Sequence, residues 1–246
     1  MVGASSVALL ASAASGVRSP VPESRVAVIM YHHVGDWGPP DPAWAPWVVR
    51  PEAFETQLDW LQLHGYHAIT MRQLLAHREH GEPLPPKPVM ITFDDGWGED
   101  AWIARRFLDP RGMPAVFFVY TGAVDAPAFL TWADIAALEA AGHEVLSHTV
   151  SHPDLMKIDA ARLAVEMRES RATLEARLGH PVVSFAYPFG SYDARVVQAA
   201  RDAGYRMAVA ADGGNARDTD PMMEIPRWKV DYREPIETFA RRLQAR

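Results

Sequence analysis

Two adjacent carboxylates follow the apolar run PVMITF at residues 88–93. Asp94 and Asp95 repel each other as like charges, so a buried pair needs a cation or hydrogen-bond donors to offset the repulsion. Because alternate side chains of an extended chain face opposite ways, one carboxylate can bind a cation while the other faces a substrate. Gly96 would permit a tight turn after them. An Asx turn or a helix cap would explain the same residues without any chemistry.

Two histidines lie four residues apart in SHTVSHPDL, directly after the apolar run EVL. One helical turn would bring His148 and His152 to the same side. Pro153 disfavours a helix at His152, however, so we predict a turn in a loop. Two imidazoles and one carboxylate suit Zn²⁺ and leave a coordination position open for water. An HxxxH pair alone is a weak indication of a metal site, and an Asp-Asp strand end beside it makes the indication much stronger.

Two further groups of residues could stabilise or move charge. In FAYPFGSYD, residues 185–193, Pro188 and Gly190 predict a turn that can aim a backbone N–H, such as that of Phe189, at an oxyanion. An ordinary strand-to-helix connection is the alternative.

In YHHV, residues 31–34, a histidine could pass protons near neutral pH. A structural role is the default for any one of the ten histidines in the chain.

Short β-rich runs alternate with amphipathic helical stretches after the first residues of the chain. Near-continuous apolar strands separated by helices indicate a parallel sheet that is covered on both faces. About seven such units in one domain favour an α/β barrel, whose active site lies at the carboxyl ends of the strands. Each polar group described above follows a strand. The predicted strands are residues 25–31, 67–70, 88–93, 115–120, 144–148, 182–188 and 206–210.

The clearest helical pattern runs from Asp159, a candidate N-cap, to Gly179, which would end it. Its apolar face is predicted to contain Leu163, Met167, Leu174 and Leu178. The segment GDWGPPDPAWAPWVVRP, rich in Pro and Trp, predicts an ordered loop over one end of the barrel.

The composition excludes several classes of protein. With 246 residues, 48% of them hydrophobic and 22% charged, the chain can form one globular domain. A formal net charge of −7 argues against nucleic acid or an anionic membrane as the main partner. The absence of cysteine excludes disulfides, thiolate chemistry and Cys-ligated metal sites.

Residues 1–24 form a separate segment that is rich in Ala and Ser. Its Ala-x-Ala pattern at Ala11–Ala13 resembles the cleavage site of a secretory signal, although a positively charged region before it is missing. A disordered leader is the alternative. The signal interpretation predicts export to the periplasm or the cell exterior, and VALLASAA is too short to span a bilayer.

The sequence resembles the polysaccharide deacetylases of carbohydrate esterase family 4 in the order of three motifs. These are TFDDG, then HTVSH, then a Pro-aromatic-Gly motif. The resemblance covers roughly residues 25–240. It implies a distorted (β/α)₇ barrel, with the catalytic domain over residues 25–246, that hydrolyses N-acetyl groups of amino-sugar polysaccharides with a divalent metal, expected to be Zn²⁺. The implied roles are general base for Asp94, metal ligands for Asp95, His148 and His152, and oxyanion binding for the backbone N–H of Phe189.

The sequence departs from the common family pattern at two points. Ala186 stands where the third motif usually has Arg, and no histidine follows in place of the C-terminal Leu-x-His motif. VIMYHHV resembles instead the rearranged subgroup that deacetylates poly-β-1,6-N-acetylglucosamine, which makes His32 the expected general acid. His33 should then point away from the site. Arg227 is a candidate to replace the missing Arg electrostatically.

The expected partner is an N-acetylated polysaccharide bound by a monomer, and neither nucleic acid nor a transmembrane segment is expected. The residues predicted to bind substrate are Tyr187, Pro188, Gly190, Trp97 and Arg227. Trp37, Trp44 and Trp47 could also offer flat faces to sugar rings, with loop anchoring as the alternative for each Trp. Two rival functions stay open: a metal-dependent deacetylase of peptidoglycan or of a small amide or ester, and a barrel that binds carbohydrate without turnover.

Overall fold

The computed structural model of the protein describes residues 25–36 and 45–245. The predicted signal segment and residues 37–44 of the predicted Pro- and Trp-rich loop, which include Trp37 and Trp44, therefore lie outside the described residues. The end of that loop is described, and it forms a short 3₁₀ turn over Ala45–Trp47.

Most strands belong to one curled sheet, and they form where apolar, β-branched runs occur in the sequence. The strands, in chain order, are β1 (Arg25–Tyr31), β2 (His33–Val34), β3 (Val48–Val49), β4 (His67–Ala68), β5 (Pro88–Phe93), β6 (Val116–Val119), β7 (Glu144–Ser147), β8 (Ser184–Ala186), β9 (Met207–Val209), β10 (Ala216–Arg217) and β11 (Trp228–Lys229). The order across the sheet is β10-β1-β5-β6-β7-β8-β9, with β11 beside β1 and β4 beside β5. β1, β5, β6, β7, β8 and β9 are all parallel neighbours. The predicted parallel sheet is confirmed.

One chain segment approaches both edges of this curled sheet. Ile225 forms a parallel bridge with Val209 of β9, and β11 a few residues later pairs in parallel with β1. The chain between them crosses the gap between the first and last strands of the barrel. Arg227 lies in this crossing, with a relative exposure of 1%. The crossing therefore carries a charged side chain into the interior.

The helices are α1 (Pro51–Leu63), α2 (Met71–His80), α3 (Asp100–Ile103), α4 (Trp132–Ala140), α5 (Ala160–Leu178), α6 (Ala194–Asp202) and α7 (Ile236–Gln244). α5 begins as predicted, because the Asp159 side chain accepts a hydrogen bond from the Arg162 N–H. It ends at Gly179, whose φ of 76° is readily adopted only by glycine. Within the described ranges, no helix has the length and apolarity needed to cross a membrane.

Candidate active site

The register of the parallel strands brings the polar motifs together. Tyr31 at the end of β1 pairs with Phe93 at the end of β5, so the next residues, His32 and Asp94, are neighbours. Ser147 pairs with Phe185 in the same way, which places His148 beside Ala186. Because all these strands run in one direction, their carboxyl ends share one end of the barrel.

A cavity of about 260 Å³ opens at this end of the barrel. It is lined by all six residues that were predicted to be catalytic or to bind metal: His32, Asp94, Asp95, His148, His152 and Phe189. Tyr187, Gly190 and Arg227, three of the predicted substrate-binding residues, also line it. Pro188 and Trp97 are not among its lining residues.

Asp94 is neutralised by a cation that the chain itself supplies. The Arg227 guanidinium donates from Nη1 to Oδ1 and from Nη2 to Oδ2 of Asp94, each at 2.7 Å. Nη1 also donates to the Thr92 hydroxyl at 3.0 Å, and Nε donates to the Ala210 carbonyl at 3.0 Å. Burial alone would raise the pKa of Asp94, but the charge of Arg227, followed by that of His148, holds this pKa well below its usual range.

Arg227 therefore stands in the electrostatic role that was predicted for it. Its guanidinium is buried and engaged by Asp94, Thr92 and Ala210, and the residue also lines the cavity. A bidentate pair of this kind fixes the orientation of the carboxylate as well as its charge.

Asp95, His148 and His152 form the second polar group of the cavity. The Oδ1 atom of Asp95 lies 3.7 Å from Nε2 of His148 and 3.4 Å from Nε2 of His152. One ligand atom from each of the three residues lies within 4.8 Å of the others, a spacing that could hold a metal ion. The donor set, two imidazoles and a carboxylate, matches catalytic zinc sites with three protein ligands.

The ring of His148 is oriented for such a site. Its Nδ1 lies 2.9 Å from the Ala186 carbonyl oxygen, which can only accept, so Nδ1 carries the proton and Nε2 is left with a lone pair. Burial, the largest cause, lowers the pKa of His148 to about 4 even though the nearby charge of Asp94 acts in the opposite direction. Neutral imidazole is the form that binds metals.

Strained backbone is concentrated around this group. Seven non-glycine residues in the described ranges have a positive φ, and four of them are Asp95 (78°), Thr149 (72°), His152 (55°) and Phe189 (59°). Such conformations cost roughly 1–3 kcal/mol each and persist where the surroundings hold them, often at functional sites. The HxxxH segment lies outside any helix, as Pro153 predicted.

His32 and His33 both line the cavity, and their rings contact different groups. A bend at His32, between β1 and β2, interrupts the extended chain there. The Nδ1 atom of His33 lies at hydrogen-bond distance, 2.7 Å, from Glu99 Oε1, and the His33 ring centroid lies 4.5 Å from that of Trp97. The His32 ring packs 4.5 Å from Trp47, and burial lowers its pKa.

The turn after β8 presents Phe189 at the cavity. The two N–H groups that follow Phe189 bond within the turn: the Gly190 N–H donates to the Tyr187 carbonyl and the Ser191 N–H donates to the Pro188 carbonyl. Gly190 has a φ of 66°, and a Cβ there would lie 2.7 Å from the Ala211 Cβ, so glycine is required. The Tyr187 hydroxyl donates to the Met223 carbonyl, and Pro188 is buried.

The ring of Trp97 is held by two contacts. Its ring stacks on Phe129 with centroids 4.6 Å apart, and its Nε1 donates to Asp95 Oδ2 at 3.2 Å. Trp47 lines the cavity and is 37% exposed, so it keeps a face that a sugar ring could contact. Lys229 lies 3.9 Å from the Trp47 ring centroid.

Sequence reasoning missed three acidic residues near the site. Glu99 contacts His33, and Asp100 is fully buried behind the Asp94–Asp95 turn. Glu166 is fully buried on α5 and accepts hydrogen bonds from the loop that carries His152. A signal for Glu166 was present, because it lies three residues after Leu163 and one before Met167, within the predicted apolar face.

Comparison with known proteins agrees with this fold and site. Residues 81–208 match the polysaccharide deacetylase family, which is just over half of the chain. The chain belongs to the polysaccharide deacetylase family, and the resemblance recognised from its motifs is confirmed.

Individual relatives match this chain at modest sequence identity. A putative polysaccharide deacetylase of Bacillus subtilis, YxkH, is 25% identical over 84% of this chain and 72% of the relative. The poly-β-1,6-N-acetyl-D-glucosamine N-deacetylase of Escherichia coli is 22% identical over 91% of this chain, but only 39% of its own length is covered. The solved structure of the Streptococcus pyogenes deacetylase PplD, in complex with acetate, superposes with a TM-score of 0.84 at 25% identity, covering 90% of this chain and 99% of that one. The distorted (β/α)₇ barrel is confirmed.

Proposed function

We propose that this protein is a metal-dependent hydrolase that removes N-acetyl groups from amino-sugar polysaccharides of the poly-N-acetylglucosamine type and releases acetate. The observation that supports this proposal is that two adjacent aspartates in one cavity have different partners. Asp94 is held by Arg227, while Asp95 lies with two histidines in a geometry that could hold a cation. The E. coli relative named above supports the amino-sugar class of substrate.

The residues present fit a divalent metal, for which we propose Zn²⁺. Asp95 Oδ1 and the Nε2 atoms of His148 and His152 would hold it. A cation bound there would polarise the acetamide carbonyl and lower the pKa of water. The Phe189 backbone N–H is the proposed donor to the oxyanion, and losing one such donor costs about 2.7–4 kcal/mol of barrier in known cases.

Proton transfer is assigned to Asp94 and His32. Asp94 takes a proton from the attacking water as the new C–O bond forms at the carbonyl carbon. The register of β1 and β5 places His32 next to Asp94, so a proton taken by Asp94 has an acceptor beside it. His32, neutral near pH 7 because burial lowers its pKa, can receive the proton and pass it to the sugar nitrogen as the C–N bond breaks.

The function is tested by measuring acetate release from a panel of N-acetylated substrates: poly-N-acetylglucosamine, chitin oligomers, peptidoglycan and a small aryl acetamide. We expect the poly-N-acetylglucosamine chain to be the best substrate and a chelator to abolish its turnover. Release from peptidoglycan or the small amide alone would contradict the substrate class. Binding of glycans without acetate release, in metal-loaded protein, would favour the rival carbohydrate-binding function.

The role of His32 has a more specific test. His32→Ala should lower kcat on acetamides by about 10²–10⁴-fold, the usual worth of a general acid. Aryl acetates, whose leaving group needs little protonation, should lose far less. His33→Ala is the control, since its ring is bound to Glu99. Equal losses on both substrate types in His32→Ala, or a selective loss only in His33→Ala, would remove His32 from this role.

We also propose that the protein is exported, as the Ala-x-Ala pattern at Ala11–Ala13 predicts. The support is the pattern itself together with a polymeric glycan substrate, which lies outside the cytoplasm. The mature chain should begin near Ala14 when its N-terminus is sequenced from the native host. Recovery of the chain from the cytoplasm, beginning at Met1, would overturn this proposal.

A further inference from the structure

His148 and His152 are held in the cavity by different means. The ring of His148 is buried and is fixed by its own hydrogen bond to the Ala186 carbonyl. The Nδ1 atom of His152 has no such partner among the residues that the structure describes, and the ring is partly exposed. The His152 ring packs against Phe189 and Tyr120, with centroids 4.6 and 5.5 Å away, and beyond these contacts its position depends on the main chain of its loop.

That main chain adopts a conformation that it would not hold by itself. Thr149 and His152 both have left-handed backbone angles, with φ of 72° and 55°. Inside the loop, the His152 N–H donates to the Thr149 hydroxyl at 3.1 Å. Strained residues of this kind stay in place only where neighbouring structure fixes them. The fixing group must come from outside the loop.

The Thr121 and Gly122 N–H groups donate to the Thr149 and Val150 carbonyls, at 3.0 and 2.8 Å. Glu166 on α5 supplies further contacts. Its Oε2 accepts the N–H groups of Val150 and Ser151, each at 2.9 Å, and its Oε1 accepts the Ser151 hydroxyl at 2.7 Å. Arg162, one turn earlier on the helix, lies 2.7 Å from Oε1 and also donates to the Ser151 hydroxyl at 2.9 Å. The carboxylate is thus fully buried, charge-compensated and bonded to the two residues that precede His152.

We propose that Glu166 is a positioning residue for the metal site: it holds residues 150–151 so that His152 faces Asp95 and His148, and thereby raises the affinity of the site for a divalent cation. The inference rests on the metal site of the proposed function. Glu166 touches neither substrate nor metal, and it acts through the loop. A glutamine in its place keeps one carbonyl oxygen but turns an NH₂ group toward donors, so the loop loses part of its support.

The experiment uses the metal-free full-length chain, with Zn²⁺ alone as the probe and competition with a chromophoric chelator as the measurement. Glu166→Gln should weaken Zn²⁺ binding by about 10–100-fold, the usual effect of losing an outer contact of a metal site. The matched control is Glu175→Gln on the same helix. Glu175 also accepts a backbone N–H, from Val182 at 3.0 Å, and pairs with Arg171 at 2.9 Å, but at the far end of α5.

The outcomes separate this inference from the proposed function. If the wild-type chain does not bind Zn²⁺, the proposed metal site is wrong and the inference falls with it. If the wild type and Glu166→Gln bind equally, or Glu175→Gln loses as much affinity as Glu166→Gln, only the positioning role is overturned. Should Glu166→Gln fail to fold, Ser151→Ala removes a single donor to the carboxylate. It should weaken binding by a few fold, and an unchanged affinity would overturn the proposal.

Discussion

The adjacent carboxylates of Asp94 and Asp95 lie on two walls of the cavity and have opposite surroundings. On one wall, Asp94 is enclosed between strands and held by Arg227, so its counter-charge belongs to the protein. On the other wall, Asp95 has a left-handed backbone and faces two imidazoles, of which His148 is kept neutral by burial. Asp94 needs nothing from solution to be stable as an anion, whereas Asp95 lies where a cation would complete the charge balance.

This difference explains how two neighbouring aspartates can be compatible at the end of a buried strand. Asp94 is preorganised: its orientation is fixed by a bidentate pair and its charge is permanent near neutral pH. Asp95 is adaptable, since Trp97 holds only its Oδ2 and leaves Oδ1 toward the histidines. The comparison predicts that damage to the first wall affects stability and turnover, and damage to the second affects metal binding.

The largest effect is expected from separating the two aspartates. Asp95→Asn should reduce bound metal to near zero, because it removes the anionic ligand. Asp94→Asn should retain metal while kcat falls by about 10²–10⁴-fold, because the proposed base is lost. Metal content by mass spectrometry and acetate release measure the two effects on the same samples. Equal metal loss in both variants would show that the roles are divided wrongly.

The next effect concerns Arg227. Arg227→Met leaves Asp94 buried without its cation, and breaking a buried pair in this way costs about 3–5 kcal/mol in the free energy of unfolding. Urea denaturation of the metal-free protein would measure the loss. Arg206→Met is the matched control, because Arg206 pairs with Glu79 on the surface, where an ion pair is worth about 0–1 kcal/mol. If Arg227→Met lowers the free energy of unfolding no more than Arg206→Met does, the pair of Arg227 with Asp94 does not stabilise the fold.

The smallest expected effect concerns a third carboxylate, that of Asp100, and the pH dependence of the free energy of unfolding. Asp100 is fully buried, and neither of its oxygens has a hydrogen-bond partner within residues 25–36 and 45–245. Burial first, and then the charges of Glu99, Asp95 and Asp94, raise the pKa of Asp100 well above its usual value. The folded state thus binds this proton more tightly than the unfolded state, so stability falls as the pH rises from the unfolded pKa toward the folded one.

Asp100→Asn removes this linkage and should stabilise the metal-free protein, by an amount that grows with pH at no more than about 1.4 kcal/mol per unit. Denaturation at pH 5, 6, 7 and 8 would show a flatter profile than that of the wild type. Asp202→Asn, at an exposed position of α6, is the control for replacing a carboxylate by an amide. A wild-type slope in Asp100→Asn would mean that Asp100 is not held protonated in the fold.

Local patterns were sufficient for much of the fold. The predicted strands at 25–31 and 88–93 have the bounds that the structure shows. Such strands can be predicted locally because the apolar run and its flanking polar residues are consecutive in the sequence. The same holds for α5, where Asp159 and Gly179 mark both ends. The motif residues of the cavity were also identified, since each follows a strand and parallel strands end together.

The sequence alone determined which residues gather at the mouth of the barrel, and the tertiary structure decided what each of them contacts. Asp94 and Arg227 are 133 residues apart, and they meet only because the crossing between β9 and β11 brings Arg227 inside. The bend at His32 and the contact of His33 with Glu99 likewise depend on how β1, β2 and α3 pack. Hydrophobic periodicity reports which face of a segment is buried, but a bond between distant side chains depends on strand register and closure of the barrel, which no local pattern contains.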